Sequence, residues 1–401
     1  MSNKRKRLTR HKINKELFRV FGQFFRLPSY LWSITFSNLH YQLFYAREVH
    51  CLPGKVSLRE RVVVYVVYAK QGLQKSHLDC LNYFIENDYA PIVISNLPLS
   101  NSDRAQLESL CWQVIERPNV GYDFGAYREG ILALGKSLAS LQRLVLINDS
   151  TWFPLPGSRC WLRDVEKLGV DFAGAASHFG VTKVYPQDFR DQKWTYHADH
   201  PNFHYTSYAL SFSERILSDP GFLSYWRRYK LTNQKNRVVR RGEIGLSKWV
   251  IKSGYSHGET LNLPSLDEHL KSLSLDRLSR VASSVIIAWP EFEALFLSLD
   301  SDPIKANRTE LEKFILCAVA TQGGSYALAE HSIIDRGYPF LKKSPICWDR
   351  SASDKTLSII SRLPSDNVEH ILSEAKGMRT EDAERPAGLS PRGVRLEKVP
   401  S

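Results

Sequence analysis

The alternation of apolar and polar positions changes character at residue 61. Residues 62–68 form an almost wholly apolar, β-branched run, which is typical of a strand buried on both faces of a parallel sheet. From there to residue 147, short apolar runs alternate with segments whose apolar residues recur at helical spacing. The predicted elements are strands at 62–68, 91–95, 112–116 and 144–147, a helix capped by Ser76, and helices at 103–111 and 126–141. Such alternation indicates βαβ units, and therefore an α/β fold with a mostly parallel, doubly wound sheet flanked by helices.

Beyond residue 150 the pattern is looser. It predicts strands at 172–176 and 207–212, a polar and aromatic loop at 178–204, and helices at 222–229, 244–253 and 311–320. The resulting organisation is a basic N-terminal segment (1–55), a main α/β domain (60–262), a helical C-terminal part of the same domain (263–349) and a polar, largely disordered tail (350–401).

Most of the positive charge lies at the N-terminus. The chain has 54 basic and 42 acidic residues, a net charge of +12, and residues 1–26 hold nine of the basic residues and one acid. Apolar residues at 13–25 recur at helical spacing opposite basic ones, which predicts an amphipathic helix. This helix either binds an anionic membrane surface or packs on the main domain. Nucleic acid is disfavoured as a partner because no reader motif accompanies the charge.

Cysteines and common catalytic motifs exclude several classes of protein. The six cysteines are scattered without a CxxC pair or zinc spacing, which indicates a reducing cytoplasm. No stretch approaches the roughly 20 apolar residues of a membrane span. The sequence contains no GxSxG, HExxH, Walker or GxGxxG motif, so a dinucleotide-binding protein is disfavoured.

Two segments contain residues whose side chains are suited to ligand binding or catalysis. The strand at 144–147 runs into Asn148 and Asp149, so a carboxylate lies at the carboxyl edge of the sheet, where Mg²⁺ or Mn²⁺ can join it to a diphosphate. The simpler interpretation is a turn after a strand.

The segment 117–130 joins a strand to a helix, and its free amides form an anion site. There Gly121 permits close approach, Asp123 can accept hydrogen bonds from hydroxyls, and Arg128 can pair with phosphate. The alternative is a glycine-rich loop with an internally bonded Asp.

These segments also carry a family resemblance. Asn119-x-Gly121 followed by AYRxxG (126–130) and NDS (148–150) resembles the donor-binding half of inverting family 2 glycosyltransferases with the GT-A fold. The strings RPNVGYDFGAYREG and LVLINDS are more closely similar to the rhamnan synthesis protein F family of bacterial polysaccharide assembly. Further matching strings are HYTSYAL (204–210), FLSYW (222–226), EIGLS (243–247) and GYPFLK (337–342).

The resemblance implies a GT-A-like domain at 60–262 and roles for individual residues. It implies that Glu243 is the catalytic base, and Asp149 the residue that holds a divalent cation. A carboxylate at a helix start is kept ionised, although the helix dipole also lowers its basicity. The competing interpretation is that Glu243 merely caps its helix. The candidate donor-binding residues are Asn96, Asn119, Gly121, Asp123, Arg128 and Asn148, and the candidate acceptor-side residues are His204 and Tyr208.

Two departures from the resemblance leave questions open. Asn148-Asp149 carries one carboxylate where relatives of the fold carry Asp-x-Asp, so metal dependence is open. Asn96 stands where related enzymes hold an acid against the nucleobase, so the nucleotide is open as well.

The resemblance thus implies an inverting glycosyltransferase, with rhamnose as a candidate sugar. It would use a dTDP-, UDP- or GDP-sugar and a cell-surface polysaccharide, lipopolysaccharide or lipid-linked glycan as acceptor. It would be cytoplasmic and peripheral at the inner membrane. The alternative is a catalytically silent scaffold of polysaccharide assembly that retains the fold.

Overall fold

The computed structural model describes residues 37–288, 292, 295, 307–364 and 368–379. The amphipathic helix predicted at 13–25 and the end of the predicted tail lie outside these residues. None of the described helices is both long and apolar enough to cross a lipid bilayer.

The strands are short and build one large sheet and two small ones. They are β1 (His50–Pro53), β2 (Arg61–Val67), β3 (Ala90–Ser95), β4 (Gln113–Glu116), β5 (Arg143–Asn148), β6 (Thr151–Trp152), β7 (Phe172–Gly174), β8 (Ser177–His178), β9 (His204–Tyr205), β10 (Ala209–Ser213), β11 (His257–Glu259) and β12 (Leu341–Lys342). The large sheet has the order β1-β4-β3-β2-β5-β10-β7-β11, and β12-β6 and β8-β9 form the small sheets.

The large sheet is parallel through β4, β3, β2 and β5 and again between β7 and β11. Strand β10 runs antiparallel to both of its neighbours, and β1 is an antiparallel edge strand. The predicted α/β architecture, a mostly parallel sheet flanked by helices, is confirmed. The carboxyl ends of β2, β3, β4 and β5 therefore meet at one edge, where ligands of such sheets bind.

Helices cover both faces of this sheet. They are α1 (Ser37–Phe44), α2 (Lys75–Glu86), α3 (Asn101–Leu110), α4 (Tyr122–Leu134), α5 (Trp161–Leu168), α6 (Glu214–Leu217), α7 (Pro220–Arg228), α8 (Lys235–Arg241), α9 (Glu243–Lys252), α10 (Leu266–Ser272), α11 (Leu275–Ser284), α12 (Arg308–Gln322), α13 (Gly324–Ala327), α14 (Arg350–Ser361) and α15 (Glu369–Met378). Short 3₁₀ segments lie at Ala46–Glu48, Gly135–Ser140, Pro186–Asp191 and Ser344–Cys347, and a π turn at His331–Asp335.

The apolar run of β2 is explained by burial on both faces. Val63, Tyr65 and Val67 belong to one apolar cluster, whereas Val62, Val64 and Val66 belong to the cluster on the other face. Successive side chains of a strand point to opposite faces, so a strand between two helical layers has no polar side.

Two stretches differ from the prediction. The helix predicted at 126–141 begins at Tyr122 and ends at Leu134, because Gly121 adopts φ +84° before it and Gly135 interrupts it with φ +55°. The tail predicted as largely disordered from residue 350 forms helices α14 and α15 as far as Met378. Their few apolar residues, among them Ile359 and Ile371, are buried against the main core, which stabilises an otherwise polar segment.

Candidate active site

Asp149 ties the ends of β5 and β2 together. Its amide donates to the Val66 carbonyl at 3.1 Å, and its Oδ2 accepts a 2.6 Å hydrogen bond from the Tyr68 amide. His77 Nε2 lies 3.7 Å from the same oxygen. Because His77 Nδ1 accepts from the Gln74 amide at 3.0 Å, the neutral ring carries its proton on Nε2, toward Asp149. Burial, with Lys343 nearby, lowers the pKa of His77 and favours this neutral form.

Asp123 lies in the first turn of α4 and contacts the same strand end. Asn148 Nδ2 donates to Asp123 Oδ2 at 2.9 Å. The Oδ1 of Asn148 accepts from the amide of Ser150 at 3.1 Å and from its hydroxyl at 2.6 Å. These bonds fix the orientation of the Asn148 amide, so its nitrogen faces the Asp123 carboxyl.

Three carboxyl groups share one electrostatic environment at this edge. Burial, followed by the charges of Asp149 and Glu243, raises the pKa of Asp123, whereas Lys342 and Lys235 lower it, and the net result is a pKa of about 7. Like charges at close range disfavour full ionisation, and a bound cation would relieve their repulsion. Hydrogen bonds show the same convergence, because Asn148 contacts Asp123 and its backbone amide donates to the Tyr208 carbonyl at 3.2 Å, next to the Ser207 that binds Glu243.

Glu243 is held by two neighbouring groups at the start of α9. Its Oε1 accepts from the Ser207 hydroxyl at 2.6 Å and from the Ser207 amide at 3.3 Å. His204 Nε2 lies 3.7 Å from Oε2. His204 Nδ1 donates to the Asn202 carbonyl at 2.8 Å, so the neutral ring presents a proton-free Nε2 to Glu243. The Glu243 side chain remains 19% exposed, which leaves its carboxylate accessible to a ligand.

Lys342 is a cation of this site that the sequence analysis did not single out. Strand β12 pairs with β6 directly after Asp149, and this pairing brings Lys342 Nζ within 3.3 Å of the Ser150 hydroxyl, to which it donates. Its Nζ also lies 4.1 Å from the centre of the Tyr208 ring, a cation–π contact. The predicted acceptor-side residue Tyr208 is itself buried and shares a 2.8 Å hydrogen bond with the Tyr338 hydroxyl. The Lys342 ammonium group therefore lies over the Tyr208 ring.

Two predicted donor-binding residues are committed to the protein interior. Arg128 is buried, donates to the Trp226 carbonyl at 3.2 Å and pairs with Glu129 at 3.0 Å. Asn96 is buried, and its Oδ1 accepts a 2.7 Å hydrogen bond from Arg117. The structure does not bring Arg128 together with Asp123 and Asp149, because it occupies another face of α4.

Asn119 and Gly121 form the turn before α4. Asn119 is exposed, and the Gly121 amide donates to Asn233 Oδ1 at 2.9 Å. Gly121 has φ +84°, and a Cβ atom on it would lie 3.0 Å from Leu231 Cδ2. Glycine is required here by backbone conformation and by packing, whether or not a ligand approaches.

The carboxyl groups fit a hard divalent cation that completes its shell with ligand oxygens. Among the residues that the structure describes, no group of three or more His, Cys, Asp and Glu side chains has the arrangement of a protein-only metal site. Mg²⁺ and Mn²⁺ sites of phosphate-binding enzymes commonly use one or two carboxylates with phosphates and water. Asp149 and Asp123 can supply these two carboxylates.

Comparisons with known proteins point to one family. The sequence model of the family described as rhamnan synthesis protein F matches residues 91–287. A protein of Sinorhizobium fredii (strain NBRC 101917 / NGR234), described as "Uncharacterized protein y4gN", is 30% identical over 389 residues, which cover 87% of this chain and 94% of that protein.

Similarity to solved structures is weaker. The mannosyltransferase PcManGT from Pyrobaculum calidifontis, in complex with GDP-Man and Mn²⁺, is 13% identical, with 88% of this chain and 90% of that chain covered and a TM-score of 0.28. Core-mannan synthase A from Aspergillus fumigatus, in its Mn/GDP form, is 11% identical, with 44% of this chain and 66% of that chain covered and a TM-score of 0.23. Scores this low carry no conclusion about the donor, the metal or the mechanism.

Proposed function

Because this chain belongs to the rhamnan synthesis protein F family, we propose that it is an inverting glycosyltransferase that uses a nucleoside diphosphate sugar. The observation that carries the proposal is the convergence of Asp123, Asp149 and Glu243 at the carboxyl edge of the sheet, with Lys342 beside them. Such an edge offers groups for a diphosphate and a base for an acceptor hydroxyl within one site.

The donor side consists of Asp149, Asp123 and Lys342. Asp149 and Asp123 would hold Mg²⁺ or Mn²⁺, and the bound cation would neutralise charge on the departing diphosphate. Lys342, whose Nζ already donates to Ser150, contributes a second positive charge to the same phosphates. Asn148 keeps Asp123 oriented through its 2.9 Å hydrogen bond.

The acceptor side consists of Glu243 and the groups that orient it. The Glu243 carboxylate takes the proton of the acceptor hydroxyl, whose oxygen then attacks the anomeric carbon from the face opposite the diphosphate. The bond between that carbon and the phosphate oxygen breaks, and the nucleoside diphosphate leaves with the electron pair. Ser207 holds Oε1 by the 2.6 Å hydrogen bond, so Oε2, near His204, is the oxygen available to the proton.

The proposed sugar and acceptor follow from the family, and the proposed membrane attachment follows from the charge of the N-terminal segment. Rhamnose is the proposed sugar, carried by dTDP, with UDP- and GDP-sugars as the other donors to test. The proposed acceptor is a cell-surface polysaccharide or lipopolysaccharide precursor, extended in the cytoplasm. The basic residues of 1–26 support attachment to the anionic inner membrane surface.

Isothermal titration with dTDP-, UDP- and GDP-sugars, each with and without Mn²⁺, tests the proposal. We expect one donor class to bind and Asp149→Asn to abolish the Mn²⁺-dependent part, whereas the exposed Asp276→Asn control binds normally. If no nucleotide sugar binds under either condition, the proposal is wrong. The scaffold alternative predicts instead that polysaccharide production in cells survives both Asp149→Asn and Glu243→Gln.

A further inference from the structure

An open groove lies outside the candidate active site, between α7 and α9. Its volume is about 540 Å³, and its lining includes Tyr225, Arg228, Lys230, Arg241 and Trp249. The rings of Tyr225 and Trp249 lie 5.9 Å apart, tilted at 41°. Both side chains are half-buried, so they form walls of the groove and do not protrude from it.

The groove lies in the most basic described part of the chain. Residues 227–252 contain nine Arg and Lys residues and a single acid, Glu243. Within the part of the chain that the structure describes, the side chains of Arg228 and Lys230 have neither a hydrogen bond nor an ion pair. Unneutralised cations beside a concave aromatic surface attract an anion that also has an apolar face.

The groove and Glu243 lie on different faces of α9. A Cβ atom on Gly245 would lie 3.4 Å from the Tyr225 hydroxyl, so the face with Gly245 and Trp249 borders the groove. Glu243 instead contacts Ser207. One helix diameter of about 10 Å separates the two faces, a distance that a few linked sugar units can span.

We propose that this groove is an exosite for an acidic sugar unit of the acceptor glycan, a proposal that rests on the glycosyltransferase function above. The apolar face of the sugar ring packs against Trp249 and Tyr225. Its phosphate or carboxylate meets Arg228 and Lys230. The exosite holds a unit of the glycan away from the reacting end, and so favours long acidic acceptors over short or neutral ones.

A matched pair of double variants tests this assignment. Arg228→Ala with Lys230→Ala removes two charges from the groove. Arg227→Ala with Lys252→Ala removes two exposed charges from α7 and α9, the helices beside the groove, at positions outside its lining. The probes are a phosphorylated mannan oligosaccharide, an oligogalacturonate and neutral dextran, titrated into the full chain. Vesicles of phosphatidylglycerol and phosphatidylcholine form a separate arm.

We expect saturable binding of an acidic oligosaccharide that the groove variant weakens about tenfold and the control variant weakens less than about twofold. Comparing the phosphorylated and carboxylated probes identifies the anionic group. Equal weakening by both double variants would mean diffuse charge attraction and would overturn the exosite. Binding to vesicles alone would overturn it in favour of a membrane surface, and so would absence of binding to every oligosaccharide.

Titration of the nucleotide sugar keeps the two proposals separable. The groove variant should bind the donor as the unmodified protein does, because none of the altered residues contacts Asp123 or Asp149. If the unmodified protein binds acidic oligosaccharides but no donor, the proposed function fails while the anion-binding groove stands. If the donor binds and the groove variant changes nothing, only the exosite fails.

Discussion

Replacing Asp123 by Asn removes one half-buried negative charge while keeping the shape of the side chain. In the Asp123→Asn variant the new amide oxygen can still accept the hydrogen bond that Asn148 Nδ2 donates at 2.9 Å. The substitution therefore isolates the effect of charge at a position where burial, Asp149 and Glu243 all oppose ionisation. We expect the variant to be more stable than the unmodified protein at high pH.

The size of the effect follows from the shifted pKa. Folding raises the pKa of Asp123 from 3.8 to about 7. Because the folded-state pKa lies above the unfolded-state value, the free energy of unfolding falls as the pH rises from about 4 to about 7. Between about pH 5 and about pH 8 the full loss would be about 2.6 kcal/mol, because the slope of about 1.4 kcal/mol per pH unit fades as the pH passes the folded-state pKa. Partial exposure of the side chain screens the charge, so we expect about 1.5 kcal/mol.

Urea unfolding followed by tryptophan fluorescence, between about pH 5 and about pH 8, measures this difference. The stability advantage of Asp123→Asn should grow by about 1.5 kcal/mol across the range, whereas any difference caused by the exposed Asp276→Asn substitution should stay constant. An advantage of Asp123→Asn that does not change with pH would refute the reasoning, because the carboxyl would then ionise alike in both states. Carboxyl NMR of Asp123 provides an independent reading of the same pKa.

Three further substitutions test other parts of the site. Glu243→Gln should lower kcat about 10²- to 10⁴-fold without changing donor affinity, measured by release of nucleoside diphosphate, and an unchanged rate would exclude a base role. Lys342→Met should weaken donor binding about tenfold in isothermal titration, and unchanged affinity would remove Lys342 from the phosphate site. Gly121→Ala should lower the free energy of unfolding by about 1–2 kcal/mol, because φ +84° and Leu231 both oppose a Cβ atom. Urea unfolding checks this last prediction, and an unchanged free energy of unfolding would mean that the turn can accommodate a Cβ atom.

The parts of the fold that short-range patterns encode were predictable from sequence. Strand β2 was recognisable because every residue from Val62 to Val67 is buried on one face or the other. The ends of α4 were not, because they depend on the backbone angles of Gly121 and Gly135. Helices α14 and α15 were missed since a polar composition hides the few apolar residues that pack on a distant core.

The candidate site was predictable only where topology alone brings residues together. Asn148 and Asp149 follow a parallel strand, so the sheet edge was their expected place. Arg128 lies five residues after Asp123 on one helix, about 140° around its axis, and in the protein interior it pairs with Glu129. Lys342 was missed because β12 reaches the site through pairing with β6, almost two hundred residues earlier in the chain. No local pattern specifies such a pairing.

The charges at the sheet edge affect both the stability of the fold and the binding of the donor. Burial and the charges of Asp149 and Glu243 oppose ionisation of Asp123, and Lys342 and Lys235 offset this only in part, so the pKa of Asp123 stays at about 7. A diphosphate entering the same site would add further negative charge, so the carboxyl groups would resist it unless a cation or protons entered with it. If a cation raises the affinity for the donor by some factor, thermodynamic linkage requires that the donor raise the affinity for the cation by the same factor. The crowding of acids that destabilises the ligand-free fold at high pH would thereby make donor and cation bind as a pair.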